Sequence, residues 1–145
     1  GGEGSPETHY YRGVCLGVAG SVDQGISELS RATELHEERL TEAERSVRKK
    51  EEVSVQKTML AKAYFERGKL HEAKGAPGVS QEAKDLLHQA WEDFEEACVL
   101  EFAPACPKAD ALQPKIQEVK PKKEPKPRRR RRLPKTGEQP RIYGY

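Results

Sequence analysis

Eight of the ten prolines fall at or after Pro104. Proline lacks a backbone N–H and clashes with the preceding turn, so regular structure is expected before that point. Charge divides at the same place. Residues 1–107 carry 13 Lys/Arg and 20 Asp/Glu, a net of −7, whereas residues 108–145 carry 13 and 4, a net of +9. The chain reads as an acidic body with a basic, proline-stiffened tail, divided at about Ala103–Lys108. Its 145 residues suit one domain. Apolar and charged residues make up 34% each, which allows only a thin core. No apolar run approaches the roughly 18–20 residues of a membrane span. The absence of Asn excludes N-glycosylation.

The body shows helical periodicity and no convincing alternation with period two. Residues 1–8 read as a loop, and His9–Ala19 as a mostly apolar helix that Gly13 and Gly17 weaken. Ser21 with Gln24 three residues on has capping-box spacing. After it Ile26, Leu29, Thr33, His36, Leu40, Ala43 and Val47 recur at intervals of three and four. Thr33, His36 and Ala43 are poor core fillers. The pattern pauses near Lys49–Ser54 and resumes from Val55 to Arg67. Gly68 suits a helix end or a tight turn, and Gly75–Gly78 is a clear breaker. Ser80 caps the next helix, with Glu82 in its first turn. That helix carries the widest apolar face, from Ala83 through Leu87, Trp91 and Phe94 to Leu100, and is expected to stop near Phe102. Met59, Tyr64, Trp91 and Phe94 are expected in the core. The fold class is all-α, with about four helices in antiparallel pairs.

Some of these residues resemble the tetratricopeptide repeat, a pair of antiparallel helices of about 34 residues. Ala61, Tyr64, Gly68, Leu70 and Ala73 match the first helix and turn of that pattern. Ala90, Phe94 and Ala97 match the second helix. Ala73 and Ala90, which should share one position, lie 17 residues apart, so the repeat would carry an insertion centred on the Gly-Pro segment. A fainter copy covers Gly13, Leu16, Gly20, Val22, Gly25, Leu29 and Ala32. The resemblance implies two degenerate repeats over residues 9–103, flanked by an N-terminal loop (1–8) and an extended Pro/Lys/Arg-rich tail (104–145). An unrelated helical hairpin bundle is the alternative. Such repeats usually need three or more copies, so a partner is expected to complete the packing. The Lys/Asn clamp by which some members of the family grip acidic peptides cannot be assembled without Asn.

Little in the sequence suggests catalysis, a metal or another cofactor. Cys15, Cys98, Cys106 and His9, His36, His71, His88 are scattered, without the short-spaced pairs of a zinc site. Cys15 and Cys98 on apolar faces are expected as buried thiols, with a single Cys98–Cys106 bridge as the alternative. No nucleophile–His–acid signature or phosphate-binding Gly loop is present, so no small-molecule substrate is expected.

The tail carries the strongest functional signal. Lys120, Lys122, Lys123, Lys126, Arg128, Arg129, Arg130, Arg131, Arg132, Lys135 and Arg141 form a dense cationic line suited to RNA phosphates. Tyr143 and Tyr145 could stack or anchor in a protein groove. The LPxTG-like Leu133–Gly137 lacks the apolar span of a sorting signal. The expected role is a non-enzymatic accessory subunit of a large assembly. Its helical face would bind other protein subunits, and its tail would bind RNA in a ribosome or other ribonucleoprotein. The rival is a protein-only scaffold in a respiratory, photosynthetic or cytoskeletal complex, its tail docked on acidic protein or lipid. The Gly1-Gly2-Glu3 start without Met suggests a processed mitochondrial or plastid protein, with nucleus or cytoplasm as alternatives.

Overall fold

The computed structural model describes residues 4–46 and 50–117. Five helices account for nearly all of them: α1 (Pro6–Val18), α2 (Val22–Glu44), α3 (Lys50–Gly75), α4 (Gln81–Val99) and α5 (Ala105–Gln117). No strand occurs among the described residues. Connections of three to five residues make chain neighbours antiparallel. Each helix packs chiefly on the next, and α1 meets α3 only marginally.

Local chemistry explains most of the boundaries. α1 starts three residues earlier than the periodicity implies. The Ser5 hydroxyl accepts from the Thr8 N–H at 3.1 Å, and Pro6 occupies the first turn, where a missing N–H costs nothing. Ser80 caps α4 as expected, accepting from the Ala83 N–H at 3.1 Å. Ser21 stands at the N-cap of α2, but its side chain makes no capping bond. Its N–H instead closes the end of α1 on the Leu16 carbonyl at 2.8 Å, while Gly20 takes φ +97°. α4 ends in the same way: Glu101 donates to the Cys98 carbonyl and Phe102 to that of Ala97. Here a glutamate occupies the left-handed position, at φ 73°.

α3 lies at the centre of the array, between α2 and α4. Leu60, Ala61, Ala63 and Tyr64 are all buried, covering too wide an arc for one apolar stripe. Gly68 does not end a helix. α3 runs through it unbroken, and glycine is needed there because a Cβ would meet the Phe94 ring at 2.9 Å. The turn that the repeat pattern puts at Gly68 is absent, and residues 76–80 are simply the α3–α4 connection.

Two further expectations are corrected. The extended tail does not begin at residue 104, since Ala105–Gln117 is helical. Its Ala105, Ala109, Leu112 and Ile116 are buried, and the first three join the Phe94, Leu60 and Ala97 core. Pro107 falls in the first turn, where it is tolerated; Pro114 lies inside the helix and removes one backbone bond. Nor are Cys15 and Cys98 buried thiols: Cys98 is bonded to Cys106, and Cys15 is free and exposed.

Gly13 and Gly25 mark where α1 crosses α2. A Cβ on Gly25 would lie 2.9 Å from the Gly13 carbonyl oxygen and 2.9 Å from a Leu70 methyl. Glycine here permits a close backbone approach that no larger residue fits. Gly25→Ala is therefore expected to destabilise the fold by about 1–3 kcal/mol, although the same change in an exposed helix would stabilise it. A urea midpoint that stays level or rises would show that the crossing is looser than described.

Candidate functional site

The body is knitted by polar side chains at its helix interfaces. Asp93 of α4 is almost wholly buried. Arg67 of α3 grips it with two bonds, Nε to Oδ2 at 3.0 Å and Nη2 to Oδ1 at 2.7 Å. His71, one turn along α3, donates from Nδ1 to Asp93 Oδ2 at 2.9 Å. The remaining arm of Arg67 reaches the Ser30 hydroxyl of α2 at 3.1 Å. A single guanidinium thus joins three helices, and the planar fork matches the carboxylate as a lysine could not.

Tyr64 lies beside this node, with the Arg67 guanidinium 5.5 Å from its ring centre. Its hydroxyl donates to Glu37 Oε2 of α2 at 3.2 Å. Burial, reinforced by the Glu37 and Glu96 carboxylates, pushes the phenol above its usual range. Tyr64 is consequently a neutral donor and not a base.

A second buried link joins α2 to α3. His36 is fully buried; its Nδ1 donates to Gln56 Oε1 at 2.8 Å, and Gln56 Nε2 donates to Glu52 at 2.7 Å. Desolvation lowers the His36 pKa, outweighing the Gln56 bond and the nearby Glu7 carboxylate; Arg39 acts in the same direction as burial. Thr33 is satisfied by donating to the Ser30 carbonyl at 2.8 Å. The weak fillers of the α2 stripe are thus accommodated as bonded polar groups. At the outer pair, His9 donates to Glu28 at 2.6 Å, and Arg12 also approaches that carboxylate. The His9 bond is the main cause holding Glu28 below the usual carboxylate range.

These interactions position the helices against one another. A depression of about 260 Å³ lies where the start of α3 meets the α4–α5 turn, lined by Lys50, Val53, Ser54, Lys57, Thr58, Leu100 and Glu101. Among the described residues no three of His, Cys, Asp and Glu are grouped to hold a metal. None of the described helices is long and apolar enough to cross a membrane. Among the described residues, Tyr11, Val18, Val55 and Val79 are large apolar side chains left exposed.

The cationic line from Lys120 to Arg141 and the aromatics Tyr143 and Tyr145 lie outside the described residues. Sequence reasoning missed the Arg67–Asp93–His71 node. Its only signal was an acidic residue on the apolar side of α4, at Asp93 between Ala90 and Ala97. Comparison with protein-family models, curated proteins and solved structures found no match.

Asp93→Ala leaves the Arg67 guanidinium without its buried partner, and a loss of about 3 kcal/mol in denaturant unfolding is expected. An unchanged midpoint would show that water replaces the carboxylate freely. His36 gives a pH dependence of definite sign. Its pKa is lower in the folded state, so the unfolded chain takes up the proton first. This contribution should fall as pH drops below about 6.5, the ordinary histidine value. Urea midpoints between pH 7.5 and 5.5 should decline less steeply for His36→Phe; equal slopes would remove His36 as the cause.

Proposed function

We propose that the protein is a non-enzymatic accessory subunit whose helical body docks on protein and whose basic tail binds RNA in a ribonucleoprotein assembly. The observation that carries this reading is the segregation of charge. Residues 118–145 hold 11 Lys/Arg and three Asp/Glu, a net of +8, and follow directly on a helical body of net −6. A line of guanidinium and ammonium groups drives RNA binding by releasing counterions from phosphates. Arginine also stacks on unpaired bases.

The body is read as two tetratricopeptide-like hairpins, α1–α2 and α3–α4, with α5 as a closing helix. What supports this is small residues facing larger ones at the crossings: Gly13 and Gly25 in the first pair, Gly68 against Phe94 in the second. Polar links consolidate the interfaces of α3 with both neighbours, which suits a rigid platform.

The test is fluorescence anisotropy of the full chain with labelled single-stranded RNA from 50 to 300 mM salt. Binding should weaken steeply with salt. Replacing Arg128–Arg132 by serine should reduce the slope of log K against log salt by about 3–4, at roughly 0.7 per phosphate contact on a single strand. If the serine variant binds RNA as the parent does, the tail is not the RNA-binding element. If neither binds, the scaffold reading with an acidic protein or lipid partner replaces this one.

A further inference from the structure

We propose that the Cys98–Cys106 disulfide is a thiol-operated latch that holds α5, and with it the root of the basic tail, on α4. The bridge joins the last turn of α4 to the first turn of α5, with the two Cα atoms 4.9 Å apart. Both cysteines are partly exposed, so a thiol can approach them. They lie only eight positions apart in the chain, so the constraint acts on the α4–α5 connection and spans no other helix of the array.

Apart from the bridge, α5 is held chiefly by packing on one neighbour, α4. It is 13 residues long, below the length at which a helix is stable alone in water, and Pro114 interrupts its bonding. It packs chiefly on α4 and buries Ala105, Ala109, Leu112 and Ile116. Lys108 adds a link to α3 by pairing with Glu72 at 3.4 Å, and lies 5.4 Å from the ring centre of Phe94 on α4. That ion pair is partly exposed and weak. The covalent bond therefore reinforces an attachment made chiefly to a single neighbouring helix.

Opening is a two-electron exchange with a dithiol. One thiolate attacks a bridge sulfur and forms a mixed disulfide, and the second thiol resolves it. Cys98 and Cys106 leave as thiols carrying two protons, and the reductant leaves as its own disulfide. Release of α5 exposes part of the apolar cluster it joins, which includes Phe94, Ala97 and Leu100. The latch does not depend on what the tail binds.

The experiment is amide hydrogen exchange on the full chain, oxidised and then reduced with dithiothreitol. Removing a loop constraint of this size should raise exchange across residues 105–117 on the order of 10–100-fold. Exchange in α2 and α3 should not change, and reoxidation should restore protection. The doubly substituted Cys98→Ser, Cys106→Ser chain should match the reduced protein with or without dithiothreitol. Equal protection of α5 in both states would overturn the proposal, because packing alone would then hold the helix. Loss of protection throughout all helices would overturn it as well, because the bridge would then support the whole fold.

Discussion

The bidentate grip of Arg67 on Asp93 is the contact on which the body turns. A buried carboxylate is tolerable only when donors surround it, and Asp93 has Arg67 and His71. Both donors lie on α3, so the carboxylate fixes the register of α4 against α3 as well as their distance. The third arm of Arg67 carries that register to α2 through Ser30. Apolar packing alone would leave these helices freer to slide, since their interfaces are rich in alanine and offer few shapes to interlock.

The all-α class was legible because apolar spacing of three and four is hard to produce otherwise. α4 was read nearly to its ends, since Ser80 caps it and Pro104 soon follows it. α3 was read as fragments. Its buried surface is split between two neighbours, so its residues do not line up on one stripe, and Gly68 looked like punctuation. Glycine has two uses, turning a chain and letting a neighbour approach; a single sequence does not distinguish them. The Phe94 ring that makes Gly68 necessary comes 26 residues later. α5 was lost for a similar reason. Two prolines outweighed an apolar pattern of Ala105, Ala109, Leu112 and Ile116, although only Pro114 sits where it breaks a bond.

The interface node was harder to read than the fold. Arg67, His71 and Asp93 are ordinary residues on helices full of charge, and only the contact between α3 and α4 tells them from solvated neighbours. The same holds for His36. On a helical wheel it weakens the stripe, yet with Gln56 opposite it becomes an oriented polar link. The charge segregation, by contrast, needed no structure, because it is a property of composition along the chain.

Nearest-neighbour packing has a kinetic consequence. Each helix finds its main partner across a connection of three to five residues, so little loop-closure entropy opposes assembly. Topologies dominated by such local contacts fold in microseconds to milliseconds. The five helices can complete their pairings one neighbour at a time, each by a short closure.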